Sequence, residues 1–176
     1  VAVQASQSED ETNFLINLAA KNDFIKGVVG WVDLRGVTIE ERLNYFSGYK
    51  TIKGFRHVVQ GESDDFMLRK DFQNGIAALK QFNFTYDILI FHRQLPAAIK
   101  LVNQFPDQPF VIEHIAKPDI KSGDIISWKK GIEEIAKNEN VWCKISGMVT
   151  EADWKNWKTD DLKPYLDVVF ENFSAD

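Results

Sequence analysis

Short apolar runs of strand type alternate with amphipathic helical segments along this chain, and that alternation restricts it to a parallel sheet with helical cover. Strands are expected at residues 1–5, 27–34, 52–60, 86–91, 110–115 and 141–146. Helices are expected at 11–21, 38–46, 65–82, 96–105, 127–138 and 160–173. The runs VVGWV, DILIF and FVIEHI are nearly continuous apolar stretches, as strands buried on both faces should be. Helical faces show in Phe14, Leu15, Leu18 and Ala19, and again in Phe72, Ile76 and Leu79. Thr38 and Glu41 have capping-box spacing, Pro96 falls near a first turn, and Ser127 is placed to cap the helix it opens. Roughly six β/α units result, fitting either an open doubly wound sheet or part of a (β/α)8 barrel. A complete barrel takes about 250 residues. The 176 residues therefore read as one domain, a barrel without its first and last strands. Both ends are abrupt: Val1 opens directly in a strand, and Ser174-Ala175-Asp176 trails the last helix.

Composition narrows the function. Hydrophobic residues make up 44% and charged residues 27%, enough apolar surface for a sizeable core. The net charge of -5, with no basic patch or arm, argues against nucleic acid and against an anionic membrane surface. No run has the length of a transmembrane helix, and no signal-peptide pattern occurs. A single cysteine, Cys143, excludes an intramolecular disulfide and a cysteine-rich zinc site, and fits a reducing, cytoplasmic setting. Its place in an apolar strand makes it a packed thiol. There is no G-x-G-x-x-G after a strand, no P-loop, no G-x-S-x-G and no H-E-x-x-H.

In repeating β/α proteins, reactive groups stand at the C-terminal ends of the strands. The richest such end is the stretch from Phe110 to Pro118, where an apolar run closes on Glu113 and His114, with Lys117 three residues on. All three histidines, His57, His92 and His114, fall at or near strand ends. Each can bind a metal, polarise a carbonyl or move a proton, or can be a hydrogen-bonded rim residue. Strand alternation sharpens the expectation. If His114 points inward, Glu113 faces the helices, as a structural carboxylate or as a partner for a loop cation. Arg56 and His57 cannot both face the interior, and Gly54 below Arg56 favours Arg56. Lys117 is either a cation over the pocket or a solvated loop lysine. Trp31 is either core or a wall against which a sugar stacks. An inward Lys144 would need a partner.

Taken in order, VQAS, GVVGWVDL, KGFRHVVQ, FHRQLPAAIKLV, FVIEHIAKPDI and VWCKISGMVTEADW resemble one family. It is the lactonase branch of the amidohydrolase superfamily, TIM-barrel hydrolases related to L-fuconolactonase and L-rhamnonolactonase. The resemblance covers essentially the whole chain. It implies a distorted (β/α)8 barrel, here from about strand two to strand seven. It also implies a His-x-His pair on the first strand and a water-activating Asp on the eighth, in a Gly-Ser-Asp-Trp context. Neither motif occurs in this sequence, so the polypeptide by itself is expected to be inactive.

By the resemblance, His114 matches the sixth-strand histidine, a catalytic group that lies at the metal in metal-using relatives. Lys117, Arg56 or His57, and His92 match positions that contact substrate, with Trp31 as a further candidate. The implied reaction opens an aldonolactone to its acid in sugar catabolism. The cofactor is either none or one divalent metal, zinc, with His114 as a ligand in that case. Two rivals remain: a metal-dependent hydrolase or decarboxylase on the same barrel, and a non-catalytic α/β sugar-binding domain. The partner is a small-molecule sugar lactone, and the oligomeric state is open.

Overall fold

The computed structural model describes residues 1–173; Ser174-Ala175-Asp176 lies outside them. Six strands form one parallel sheet in sequential order: β1 (Ala2–Val3), β2 (Val28–Gly30), β3 (Ile52–Val58), β4 (Thr85–Leu89), β5 (Phe110–Ile112) and β6 (Val141–Cys143). Between and after them run α1 (Glu9–Lys21), α2 (Ile39–Ser47), α3 (Lys70–Gln81), α4 (Leu95–Gln104), α5 (Ile126–Ile135) and α6 (Thr159–Asn172). Sequential order with no switch point excludes the doubly wound sheet and leaves the wall of a (β/α)8 barrel.

Register divides the sheet into two faces. Arg56 pairs with Asp87, Asp87 with Val111, and Val111 with Trp142, so these four share the concave face. Phe55, Tyr86, Phe110 and Val141 share the other face and are buried against the helices. Edge-to-face contacts link Phe46 to Phe55, Phe72 to Tyr86 and Tyr86 to Phe110, at 5.5, 5.6 and 6.4 Å between ring centroids.

Several boundaries differ from expectation. Every strand past β1 ends before its predicted limit, because its last residues turn into the loops that carry the polar side chains. The helix expected over 65–82 splits into a 3-10 turn at Phe66–Leu68 and α3, with Arg69 extended between them. Thr38 makes no side-chain cap. Ser127 lies inside the first turn of α5, and Asp124 instead accepts from the Ile126 amide at 3.2 Å. At α1, Ser8 caps the Glu11 amide, and the Glu11 carboxylate reaches back to the Ala5 and Ser6 amides. Among the described residues no helix is long and apolar enough to cross a membrane.

Candidate functional site

A charge cluster stands on the concave face at the C-terminal ends of β3 to β6. Asp87 sits within an apolar strand and is 1% exposed, so it needs a partner. Lys144, one residue past β6, supplies it: Nζ lies 2.5 Å from Asp87 Oδ2 and 2.7 Å from Glu113 Oε1. Arg56 Nη1 lies 3.7 Å from the other Glu113 oxygen, and its Nη2 donates to the Gln4 carbonyl. The Gln4 amide donates back to the Arg56 carbonyl at 2.9 Å. Gly54 leaves room below Arg56, and a Cβ there would run into Thr85. Arg56 Nε and Gln4 Oε1 are buried and without a partner among the described residues.

The charges in this cluster tune one another. Burial pushes the Asp87 carboxyl up to about 6; Lys144 opposes the rise and Glu113 adds to it. Burial alone would raise Glu113 as well. The neighbouring Asp87 carboxyl, which takes up a proton first, and the Lys144 ammonium, with Arg56 behind them, hold it below its ordinary value instead. Burial works against the Lys144 ammonium, yet Asp87 and Glu113 keep its pKa raised.

Glu113 overturns one expectation. Alternation carried through His114 would turn Glu113 toward the helices, but the strand ends at Ile112, and Glu113 bends onto the concave face. His114, Ile115, Ala116 and Lys117 then follow in left-handed conformation, with φ of 53, 50, 57 and 45°. Each such residue costs an L-amino acid about 1–2 kcal/mol. The turn brings the His114 ring alongside its sequence neighbour: Nε2 lies 3.5 Å from Glu113 Oε2, and Nδ1 lies 2.8 Å from Ser146 Oγ. Gly147, with φ of 66°, packs flat on this ring; a Cβ there would come within 2.9 Å of Nδ1. Burial lowers the His114 pKa; Glu113 opposes this, while Lys117, Arg56 and Lys144 add to it. The ring is therefore neutral at pH 7. A Ser146 hydroxyl that donates to Nδ1 leaves the ring proton on Nε2, the nitrogen that faces the cluster.

The remaining predicted residues divide. Lys117 Nζ pairs with Glu151 at 3.1 Å and lies 5.6 Å over the Phe91 ring. His92 Nδ1 donates to the Lys117 carbonyl at 3.1 Å, so that nitrogen is committed to backbone. His57 is corrected: it lies on the helix side, 3% exposed, stacked on Phe66 at 5.0 Å. Its Nε2 meets Glu62 at 3.2 Å, and its Nδ1 accepts from the Trp31 indole at 3.4 Å. That bond ties half-buried Trp31 toward the helix layer. Cys143 is a packed thiol, with its pKa pushed up to about 12 by burial.

Sequence reasoning missed Asp87, Gln4 and Gly147. One signal was available: Asp87 and Lys144 are opposite charges stranded in apolar strand runs, and each is the partner the other needs. As for a metal, no group of three or more His, Cys, Asp or Glu side chains among the described residues could hold one. Asp87 and Glu113 share the Lys144 ammonium, and His114 Nε2 lies 3.5 Å from the other Glu113 oxygen. Among the described residues, these side chains by themselves complete no divalent-metal site.

The amidohydrolase family matches residues 1–176. The chain is 39% identical over 171 residues to an L-fucono-1,5-lactonase of Burkholderia multivorans, covering 93% of this chain and 57% of that protein. It is 32% identical over 179 residues to an L-fucono-1,5-lactonase of Burkholderia ambifaria, covering 99% of this chain and 60% of that protein. The chain thus spans about three-fifths of the length of these curated relatives. A crystal structure of an amidohydrolase from Burkholderia multivorans with bound HEPES superposes with a TM-score of 0.91 at 37% identity, covering 98% of this chain and 63% of that one. A second crystal form with bound zinc gives the same values. By family match, sequence identity and superposition together, the chain belongs to the amidohydrolase family.

Proposed function

We propose that the full-length protein opens the ring of a sugar-acid lactone, an aldonolactone, by adding water to its carbonyl carbon. The observation that carries this reading is the placement of His114 against Glu113 at the strand ends, beside the Arg56 and Lys144 cations. Its match to two relatives named L-fucono-1,5-lactonase supports the substrate class. A lactone is an activated ester whose carbonyl oxygen gains negative charge as water attacks. His114 Nε2–H is a donor for that oxygen, and the buried Arg56 guanidinium adds positive charge behind it. Lys117 at the rim, held by Glu151, is a cation for the substrate's hydroxyl-rich edge. The ring C–O bond then breaks, and the leaving alkoxide takes a proton. By the family resemblance, the base that removes a proton from water is an Asp in a motif outside this sequence. The setting we assign is sugar catabolism in the cytoplasm.

A panel of aldono-1,5- and 1,4-lactones, followed by proton release with the full-length protein, tests the reading. Turnover of one or more sugar lactones is the expected result; no turnover on any of them sinks it. The crystal form of a relative with bound zinc favours a second reading, a metal-dependent hydrolase on the same barrel. Loss of turnover on chelation, with recovery on adding zinc, would select that reading.

The pH profile follows from His114. Its pKa lies below the ordinary imidazole value of about 6.5, so the neutral form persists into mild acid. The acid limb of kcat/KM assigned to this ring is expected to have its midpoint below pH 6.5. A midpoint above 6.5 would mean that the Glu113 charge outweighs burial at the ring.

Gly147→Ala tests ring placement. The new methyl group meets the imidazole and also occupies a left-handed backbone position. We expect turnover to fall about tenfold or more, with stability reduced by about 1–2 kcal/mol for the left-handed position. Unchanged kinetics in a folded variant would show that the ring position is not critical.

A further inference from the structure

The left-handed turn from His114 to Lys117 contains no glycine; the Lys117 amide closes it on the His114 carbonyl at 2.9 Å, but four strained residues persist only where their surroundings also fix them. Three groups from different parts of the fold do so. The Ile115 amide donates to the Lys144 carbonyl at 3.1 Å. His92 donates to the Lys117 carbonyl at 3.1 Å. The Trp128 indole Nε1 on α5 donates to the Ile115 carbonyl at 2.7 Å. Trp128 is 1% exposed and packs on Tyr165 of α6, with ring centroids 5.1 Å apart. Ile115 and Ala116, at the centre of the turn, are fully buried. His114 and Lys117, at its two ends, point their side chains at Ser146 and Glu151 in the loop after β6. Helix layer, turn and site are therefore one hydrogen-bonded unit.

We propose that Trp128 is a positioning residue: its indole N–H, reaching through from the helix layer, holds the left-handed turn that sets His114 and Lys117 at the strand ends. The consequence for catalysis rests on the lactone-opening reading, but the mechanical claim does not. No relay of protons is involved; Trp128 touches only the backbone of Ile115 in this role. Ring size at position 128 serves the core, whereas the N–H serves the turn, and the two roles separate experimentally.

Trp128→Phe in the full-length protein removes the N–H and keeps an aromatic ring. Hydrogen exchange at the Ile115 and Lys117 amides is expected to accelerate at least about tenfold, the scale of one buried hydrogen bond. Amides of β3 and β4 are expected to keep wild-type protection. On a lactone that the wild type opens, kcat is expected to fall about tenfold or more, with KM within about threefold. Unchanged exchange at Ile115 and Lys117 overturns the proposal. If protection falls everywhere instead, Trp128 is replaced by benzothienylalanine, which keeps the ring shape and exchanges N–H for sulfur. A local effect at Ile115 and Lys117 in that variant supports the proposal. Global loss, or none, makes Trp128 a packing residue only. If the wild type opens no lactone, the functional reading fails, while the exchange arm still decides the role of Trp128.

Discussion

Lys144→Met is expected to destabilise the protein by about 3 kcal/mol, the lower end of what removing one partner from a buried charge pair costs. Asp87 and Glu113 are 2% and 3% exposed in their side chains and lose their shared ammonium, while Arg56 still reaches Glu113. The lower end applies because the Lys144 side chain is 36% exposed, and water already screens part of the pair. Denaturant unfolding with the slope held equal to wild type measures the loss. The deficit should also depend on pH. In the wild type, burial already lifts Asp87 to about 6, and the Lys144 charge restrains it. Without that charge the folded pKa rises further above the unfolded value of about 3.9. The sign follows from linkage: the carboxyl's contribution is intact below about pH 4 and is lost as pH rises through the folded pKa. The variant should therefore be closest to wild type near pH 4 and furthest from it above pH 7. A deficit that shrinks with rising pH would show that Lys144 is not the counter-charge of this pair.

His114→Ala in the full-length protein is expected to lower kcat/KM for its lactone at least about a hundredfold, the scale of one lost electrostatic or proton-transfer group. The ring is 29% exposed in its side chain and makes its contacts to Ser146, Glu113 and Gly147 at the surface of the cluster. Its removal opens no sealed core cavity, so the loss should appear in kinetics far more than in unfolding. His114→Gln, which can donate one hydrogen bond but cannot hold an imidazole proton, separates the two contributions. Partial rescue by Gln assigns donation to the carbonyl oxygen; no rescue assigns proton movement. Near-normal turnover in both variants would remove His114 from the mechanism.

Much of this architecture could be read in advance, for identifiable reasons. The apolar period of DILIF and FVIEHI reports burial on both faces, and burial on both faces in a chain of β/α units leaves few topologies. The residues of the cluster could be picked out where a polar side chain interrupts or follows an apolar strand, at Arg56 within β3 and at His114 just past β5. It was misread at Glu113 because alternation is a property of strands, and the chain leaves the strand at Ile112. Little in Glu113-His114-Ile115-Ala116-Lys117 announces a left-handed turn, since only His among them is enriched in that region and Ile in particular avoids it. The turn is imposed from outside, by Trp128, His92 and the Lys144 carbonyl, and such tertiary control leaves no local sequence signal. Strand-end position placed His57 beside the pocket for the same reason that it placed Arg56 there. Only register tells the two apart, and register puts Arg56 opposite Asp87 and His57 opposite Ile88.

The most direct test of lactone opening by added water is hydrolysis of L-fucono-1,5-lactone by the full-length protein in oxygen-18 water, with mass analysis of the acid formed. Attack of water at the carbonyl carbon predicts one heavy oxygen in the product carboxylate, formed well above the spontaneous rate and lost with His114→Ala. An unlabelled carboxylate with the label on a new hydroxyl at the carbon that bore the ring oxygen, or no rate above background, would contradict the account.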